Sequence, residues 1–230
     1  MRLLLLGHGR MGRLIESLAP DYGGEVAGVL GRASNPGGAG VTAETCRGID
    51  VAIDFSTAEA TLASVPRLAA EGVSLVVGTT GWLAREAERR DAVARAGIGA
   101  VVAANFSLGA NVLEALSESA GRLLAGAASY GAFIHEAHHQ AKRDAPSGTA
   151  LALRRAVERG GFARAIDVSS TRAGFIPGTH TVGFDAQAET LELRHTVRDR
   201  ATFAHGALEA ARWVVGRRGW FTMRDVLGIG

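Results

Sequence analysis

The chain has 230 residues, of which 47% are hydrophobic and 21% charged, as in an ordinary globular protein. Its net charge is only +2 and its basic residues are dispersed, without a basic run and interleaved aromatics, so we expect no nucleic-acid partner. No apolar run reaches the roughly 18 residues of a membrane span. The single cysteine, Cys46, cannot form an intramolecular disulfide, and we expect a cytoplasmic protein without membrane association.

The first half of the chain alternates short apolar strands with helical patterns. The apolar run at residues 3–6 is followed at once by glycines, which favours a buried strand over a signal peptide. Strands are predicted over residues 3–6, 25–30, 51–55, 74–77 and 99–103. Helices are predicted over residues 11–18, 58–71 and 83–96. Alternation of this kind is typical of a parallel sheet covered on both faces.

The pattern changes after Asn105. Helices are predicted over residues 111–124, 147–159 and 203–215, and strands over 129–136, 179–184 and 190–196. We predict an α/β fold with a Rossmann-type, parallel-sheet dinucleotide-binding domain over residues 1–107, completed by about 201–230. Residues 108–200 are predicted to form a smaller α+β domain with a mostly open mixed sheet, for substrate binding and oligomerisation.

A glycine-rich motif, GxGxxG, directly follows the first strand and opens a helix. It consists of Gly7, His8, Gly9, Arg10, Met11 and Gly12. The glycines permit a tight turn, close approach of a pyrophosphate and close helix–strand packing, while the helix N-terminus offers free N–H groups. The motif predicts dinucleotide binding; a merely structural glycine turn is the alternative.

The end of the second strand indicates which nicotinamide cofactor is preferred. An NAD-preferring site places an acid there to bind the ribose 2′-hydroxyl, but this chain has Gly31 followed by Arg32. A guanidinium pairs bidentately with a phosphate, so Arg32 predicts a preference for NADPH, with NADH possible. The alternative is that Arg32 is a solvated loop residue.

Two further loops follow strands and are predicted to line the cofactor crevice. Their residues are Gly78, Thr79 and Thr80, and Ala103, Ala104, Asn105 and Phe106. Small side chains and hydroxyls would let the backbone approach the nicotinamide and its ribose, with Phe106 as one wall. Both segments could instead be ordinary turns between strand and helix.

Residues 136–150 carry the clearest chemical signal. They bring His138, His139 and Lys142 into a predicted loop between a strand and a helix. Histidine is suited to proton transfer near neutral pH, and Lys142 is the only lysine of the chain. A lysine can hold a carboxylate and also release a proton, which an arginine cannot. The residues alone do not choose between His138 and His139, and a pair of surface histidines is the alternative.

The same segment ends in a predicted helix start that suits a second anion, such as a substrate carboxylate. Ser147 is a good N-cap, and Gly148 and Thr149 would expose first-turn N–H groups. We predict no metal site, because no cysteine and no clear third ligand lies nearby. The side chains of the remaining histidines are predicted to be structural or solvated: His8, His135, His180, His195 and His205.

The segment EAHHQAKRDAPSGTA resembles the signature of the 4-hydroxy-tetrahydrodipicolinate reductase family. Further similar motifs occur in the family's order over nearly the whole chain: GHGRMG, IDFS, GTTG, AANFS, TFAHGA and FTMRDVLGI. The resemblance implies NAD(P)H-dependent reduction of a cyclic dicarboxylate to tetrahydrodipicolinate in the diaminopimelate route of lysine biosynthesis. It implies that His138 is the proton donor and acceptor and Lys142 a second proton donor. Substrate contacts would fall on His139, Gly148 and Thr149, and cofactor contacts on the glycine motif and the two loops at residues 78–80 and 103–106.

The chain departs from the family pattern in three places. The phosphate loop is one residue shorter than the common form, the acid after the second strand is missing, and residues 169–183 are trimmed. The trimmed segment belongs to the sheet through which the family forms tetramers. The resemblance therefore implies a homotetramer as an expectation to be tested.

Two other functions compete with a reductase of this family. One is another two-domain dehydrogenase with a different carbonyl or imine substrate, which would have no need for a helix start beside the histidines and the lysine. The other is a cofactor-sensing protein without catalysis, in which His138 and Lys142 could be replaced without functional cost.

Overall fold

The computed structural model describes residues 1–229, apart from the side chain of Leu83. The strands are β1 (Arg2–Leu6), β2 (Glu25–Leu30), β3 (Val51–Asp54), β4 (Ser74–Val77), β5 (Gly99–Val102), β6 (Gly131–His138), β7 (Ile166–Arg172), β8 (Thr179–Ala186), β9 (Glu189–Thr196) and β10 (Gly219–Phe221). The α-helices are α1 (Arg10–Leu18), α2 (Ala58–Ala70), α3 (Glu86–Ala96), α4 (Leu108–Leu124), α5 (Gly148–Arg159), α6 (Ala201–Val214) and α7 (Met223–Val226). No helix among residues 1–229 is long and apolar enough to cross a bilayer.

The chain divides into two compact units. One contains Met1–Ser107 together with the chain from Ala201 onward, and the other contains Leu108–Arg200. The second unit is thus an insertion between β5 and α6 of the first.

The first unit is built on a six-stranded sheet in the order β10-β5-β4-β3-β1-β2, with every pair parallel. Both β3 and β4 are buried along their whole length, which explains why they are apolar without alternation. Helix α6 packs on β3, β4 and β5 through a face rich in alanine. The loops after β1, β4 and β5 all leave the carboxyl edge of the sheet, where open α/β sheets bind their ligands.

The second unit contains a four-stranded sheet in the order β7-β6-β8-β9. Strand β6 pairs with β7 in parallel and with β8 antiparallel, and β8 pairs antiparallel with β9. Its core joins residues of the sheet to Leu153 and Val157 of α5. The ring of Phe162, which follows α5, meets that of Phe184 with centroids 5.6 Å apart. The parallel sheet of the first unit and the mixed sheet of the second confirm the predicted fold class.

The structure differs from the predicted elements in two respects. Strands β7 and β10 were not predicted, because β7 carries the polar run SSTR and β10 has only three residues. Strand β6 was predicted to end at Glu136, but it continues to His138, which pairs with Arg172 of β7. His138 is therefore a strand residue, and placing it in a loop was wrong.

Candidate active site

The glycine motif after β1 has the geometry of a phosphate cradle. Gly7 has a φ of 90°, and a Cβ on it would lie 2.5 Å from the Phe55 carbonyl oxygen. A Cβ on Gly12 would lie 2.2 Å from the Gly7 carbonyl oxygen, so both positions require glycine. Gly9 is the N-cap of α1 and has no side chain that could cap the helix. No atom lies within 4 Å of a Cβ built on it. The N-terminus of α1 therefore fits the pyrophosphate of a dinucleotide.

The other residues of this motif lie around the same helix start. His8 Nε2 is 2.7 Å from Glu16 Oε2, and both side chains are largely exposed. Arg10 and Met11 begin α1. The His8 side chain is thus held against the helix.

Arg32 lies in a tight turn after β2. The Gly31 N–H donates to Ser34 Oγ at 2.9 Å, and the Asn35 N–H donates to the Gly31 carbonyl oxygen at 2.9 Å. Arg32 itself is exposed on this turn. The turn presents a guanidinium at the place where an NAD-preferring protein presents a carboxylate.

Asp54, at the end of β3, organises the neighbouring loops and was not predicted as a site residue. Its buried carboxylate accepts hydrogen bonds from the Ser56 N–H at 2.9 Å, Thr61 Oγ1 at 2.8 Å and Thr79 Oγ1 at 3.0 Å. Burial raises the pKa of Asp54, while these hydrogen bonds oppose the rise. Asp54 thereby fixes Thr79, a predicted cofactor contact, to the sheet.

Phe55 joins the predicted cofactor loops. A Cβ on Gly78 would lie 2.2 Å from the Phe55 ring. The rings of Phe55 and Phe106 meet edge to face, with centroids 5.8 Å apart. Next to Phe106, Ala104 is exposed and Ala103 and Asn105 are partly accessible. Asn105 Oδ1 accepts a hydrogen bond from the Ser107 N–H at 2.9 Å. Phe55 lies in the IDFS motif, whose position at the carboxyl edge of β3 was the available sequence signal.

In the second unit, His138 contacts a buried carboxylate. Its Nδ1 is in contact with Glu136 Oε2, a pairing that becomes ionic when the imidazole is protonated, and the Glu136 side chain is completely buried. The other oxygen, Oε1, accepts hydrogen bonds from Ser170 Oγ at 2.6 Å, Arg172 Nη2 at 2.6 Å and the Ser147 N–H at 3.3 Å. The proton-transfer candidate is therefore part of a polar cluster, which we call the Glu136 cluster (Glu136, His138, Ser147, Ser170 and Arg172).

The protonation of these groups follows from burial and charge. Burial favours the neutral form of Glu136, but the hydrogen bonds of Arg172 and Ser170 overcome it and lower the pKa to about 2. Burial lowers the pKa of His138 below its usual value, and the charge of Glu136 opposes this shift. The site thus contains an ionised carboxylate beside an imidazole whose neutral form burial favours.

His180 of β8 completes the surroundings of His138. The two rings are 5.1 Å apart at an angle of 72°, and His180 Nε2 is 3.0 Å from Ser147 Oγ. Burial, followed by the charge of His138, lowers the pKa of His180 to about 4, so it is neutral at pH 7. Arg172 was not predicted as a site residue and His180 was predicted to be structural or solvated, because only the register of β7 and β8 on β6 brings them here.

One trio in this cluster has the composition of a metal site. Ligand atoms of Glu136, His138 and His180 lie within 4.8 Å of one another. The Arg172 guanidinium already binds this carboxylate, and the charge of Lys142 also acts on His138. Two positive charges disfavour a cation, so we retain the prediction of no metal.

The loop after β6 carries the remaining predicted residues. Lys142 Nζ donates to both carboxylate oxygens of Asp144, at 2.7 and 3.0 Å, and this contact lowers the pKa of Asp144. His139 is partly exposed, and its carbonyl oxygen accepts from the Lys142 N–H at 3.1 Å. Arg172 Nη2 also donates to the Asp144 carbonyl oxygen, at 2.6 Å. The loop is therefore tied to the Glu136 cluster through Arg172.

Helix α5 begins where the sequence predicts. Ser147 is its N-cap, and Ser147 Oγ accepts from the Ala150 N–H at 3.2 Å. Gly148 is exposed, with no atom within 4 Å of a Cβ built on it, and Thr149 is half-buried. The first turn of α5 thus lies in the same unit as Lys142 and Glu136, and its N-terminus suits a carboxylate.

A parallel sheet with a phosphate cradle, and a second unit with a buried His–Glu pair, define a reductase that uses a nicotinamide cofactor. The family model described as Dihydrodipicolinate reductase, N-terminus, matches residues 1–106, and Dihydrodipicolinate reductase, C-terminus, matches residues 109–227. The chain belongs to the dihydrodipicolinate reductase family. This confirms the resemblance inferred from the motifs.

Relatives and solved structures agree with this assignment. The 4-hydroxy-tetrahydrodipicolinate reductase of Acidiphilium cryptum is 40% identical over 245 residues, covering 96% of this chain and 94% of the relative. The enzyme of the same name from Methanoregula boonei is 41% identical over 195 residues, covering 78% of this chain and 75% of the relative. A dipicolinate-bound dihydrodipicolinate reductase from Paenisporosarcina sp. TG-14 shares the fold, with a TM-score of 0.84, 19% identity and 98% of each chain covered.

Proposed function

We propose that this protein reduces 4-hydroxy-tetrahydrodipicolinate to tetrahydrodipicolinate in the diaminopimelate route, with NADPH preferred over NADH. Family membership supports the reaction. The observation that carries the site assignment is the buried Glu136–His138 pair, which lies beside Lys142 and the start of α5. This combination offers a proton donor and a carboxylate-binding group in one unit.

The cofactor is held by the first unit. The glycine motif and the N-terminus of α1 bind its pyrophosphate, while Thr79 and the backbone of residues 103–106 line the nicotinamide and its ribose. Arg32 pairs with the 2′-phosphate, and no acid stands at the end of β2 to favour NADH. A bound nicotinamide supplies the hydride.

The substrate dicarboxylate is held by the second unit. The first-turn N–H groups of Gly148 and Thr149 bind one carboxylate, together with Lys142 and His139. The Lys142 ammonium group is paired with the Asp144 carboxylate in the structure, so a substrate carboxylate replaces that of Asp144 when it binds. His138 then delivers the proton that completes the reduction, and Lys142 is a second donor.

Assembly as a homotetramer in the cytoplasm completes the proposal. The supporting observation is an apolar surface on the second unit, where Leu116, Leu123 and Leu191 are 49%, 79% and 45% exposed. These leucines line a groove between α4 and β9. Burying them in a subunit interface would remove apolar area from water. Light scattering tests this state, and a monomer at micromolar concentration would refute it.

The reaction is tested by NADPH oxidation with freshly generated product of dihydrodipicolinate synthase as substrate. We expect turnover in the parent and a loss of about 100-fold or more in His138→Gln and Lys142→Ala. Arg143→Ala is the matched control, since Arg143 is an exposed neighbour of Lys142 outside the proposed site. NADPH binding without turnover in the parent would instead favour a cofactor-sensing protein or another substrate.

Cofactor preference is tested with Arg32→Ala. If the guanidinium pairs with the 2′-phosphate, which NADH lacks, kcat/KM for NADPH should fall by about 10-fold or more while that for NADH is unchanged. Arg47→Ala, another exposed arginine of the first unit, is the control. Equal losses with both cofactors would contradict the role of Arg32.

A further inference from the structure

We propose that Glu136 is the positioning residue of the active site, setting which nitrogen of His138 exchanges the proton and tying His138 to the start of α5. This inference rests on the proposed role of His138 as proton donor. Glu136 is itself too deeply buried to touch a substrate, since its side chain has no exposed surface.

The placement of Glu136 follows from the strand. Residues two apart on a strand point to the same face, so Glu136 and His138 of β6 are neighbours. The contact between Glu136 Oε2 and His138 Nδ1 joins them on that face. An ionised acceptor against Nδ1 stabilises the neutral imidazole that carries its hydrogen on Nδ1.

The opposite ring nitrogen is the one that remains for chemistry. His138 Nε2 faces Gly178, where a built Cβ would lie only 3.1 Å away. Glycine at this position leaves Nε2 uncovered by any side chain from residue 178. With Nδ1 occupied by Glu136, Nε2 is the atom that takes up and delivers the proton.

Glu136 also links the proton donor to the carboxylate-binding helix. Its Oε1 accepts from the backbone N–H of Ser147, the N-cap of α5, at 3.3 Å. Arg172 and Ser170 hold the same oxygen at 2.6 Å each. A single carboxylate therefore contacts both the last residue of β6 and the N-cap of α5, which fixes the distance between the proton donor and the substrate anchor.

The charged groups around His138 come from four segments. Glu136 on β6 raises the pKa of His138, while Lys142 on the following loop and Arg172 on β7 lower it. His180 on β8 is a neutral neighbour at pH 7. Since Glu136 is the only one of these that stabilises the imidazolium, removing its charge must lower the pKa of His138 further.

The first measurement needs no substitution and no substrate. In protein labelled with ¹⁵N-histidine, NMR shifts of the imidazole nitrogens report the tautomer and the pKa of His138. We expect the Nδ1–H tautomer in the neutral ring, and a predominant Nε2–H tautomer would overturn the proposal. Because this readout is independent of turnover, it distinguishes failure of this inference from failure of the proposed reaction.

The second measurement uses Glu136→Gln, which keeps the size of the side chain and removes its charge. We expect a lower His138 pKa by NMR. The alkaline limb of kcat/KM, where the donor loses its proton, should move to lower pH by the same amount. At neutral pH kcat should fall about 10-fold or more with an unchanged KM for NADPH, because the cofactor contacts lie on other residues. An unchanged His138 pKa in a folded variant would overturn the proposal.

Two further variants separate positioning from packing. Ser170→Ala removes one hydrogen bond to Glu136 but keeps the charge, so the pKa of His138 should stay close to that of the parent. Glu136→Asp retains a carboxylate and should recover part of the activity lost in Glu136→Gln. If Glu136→Gln does not fold, the parent tautomer and the Glu136→Asp pH profile decide the question, and a parent-like profile with full activity in Glu136→Asp would count against a positional role.

Discussion

Gly206 of α6 approaches the Phe106 backbone so closely that a Cβ built on Gly206 would lie 1.7 Å from the Phe106 carbonyl oxygen. Both residues belong to the first unit, and Phe106 follows the strand β5. Glycine in the TFAHGA motif therefore allows the loop at residues 103–106 to lie directly against α6.

Gly206→Ala should separate helix propensity from steric exclusion. Alanine in a helix interior is favoured over glycine by about 1 kcal/mol, whereas forcing a methyl group into packed backbone costs about 1–3 kcal/mol or more. We expect a net loss of stability in denaturant unfolding and weaker NADPH binding, because the Phe106 loop must move. Gly126→Ala, where no atom lies within 4 Å of the new Cβ, should leave both within error. Parent-like NADPH affinity in Gly206→Ala would show that the loop does not contact the cofactor.

Gly178→Ala should act on His138 without unfolding the protein. The new Cβ lies 3.1 Å from Nε2 and 3.2 Å from Cδ2, so the ring must shift by a few tenths of an ångström. We expect kcat to fall about 10-fold with little change in melting temperature or in KM for NADPH. Gly131→Ala at the other end of β6 has open space and serves as the control. A kcat equal to that of the parent would mean that the His138 ring tolerates a methyl group at residue 178 without a change in its function.

Acid should destabilise the protein in two steps that belong to different residues. His180 has a folded pKa of about 4 against an ordinary value of 6.5, so its contribution is present above pH 6.5 and is lost as pH falls towards 4. Glu136 has a folded pKa of about 2 against 4.5, so its contribution is lost at lower pH, from 4.5 downwards. Each group changes the free energy of unfolding by at most about 1.4 kcal/mol per pH unit within its window.

Denaturant unfolding at a series of pH values measures these slopes. In His180→Asn, which does not titrate at this position, stability should fall less steeply between pH 6.5 and 4 than in the parent. The remaining slope comes from His138 and His195, whose pKa values burial also lowers. The loss below 4.5 that Glu136 causes should remain. Identical slopes for the variant and the parent would show that the burial of neutral His180 is not responsible.

Arg164 is expected to be a main stabilising residue of the second unit. Its guanidinium donates to the carbonyl oxygens of Leu124, Ala125 and Tyr130 at 2.9–3.0 Å and lies 4.0 Å from the centre of the Phe162 ring. It thereby satisfies carbonyl groups at the end of α4.

Arg164→Met should lower the free energy of unfolding by about 1–3 kcal/mol, because three partly buried carbonyl groups lose a charged donor. Arg164→Lys should recover only part of this, since one ammonium cannot reach three carbonyl groups in the geometry of a guanidinium. Arg155→Met, on the exposed face of α5, should change stability by less than about 0.5 kcal/mol. A loss in Arg164→Met as small as in Arg155→Met would contradict this role.

The parallel sheet could be predicted from the sequence because its strands are short apolar runs bounded by glycines. The run at residues 3–6 became Arg2–Leu6, and residues 25–30 and 74–77 were found at the predicted bounds. Strand β7 escaped prediction because its residues are half-buried or exposed and polar, so it lacks the apolar signal. Its pairing with β6, rather than its composition, makes it a strand.

Only some of the residues of the candidate site could be predicted from the sequence. His138, Lys142 and Ser147 lie within ten residues of one another, so a local pattern was enough to propose them. Arg172 and His180 are more than thirty residues away and come together with His138 only through strand register. Glu136 stood within the motif, but ending the strand at Glu136 hid the fact that Glu136 and His138 share a face.

The pairing of Lys142 with Asp144 has a practical consequence for chemical modification. Lys142 carries the only ε-amino group of the chain, on a side chain that is 24% exposed and held by a carboxylate. An amine-selective acylating reagent therefore has two targets, the α-amino group and Lys142, and the mass added to the peptide that contains Lys142 would report the accessibility of the loop after β6. A dicarboxylate that takes the place of Asp144 should protect the Lys142 amine from the reagent. The labelling rate, measured at increasing dicarboxylate concentrations, would then give the binding affinity without any turnover.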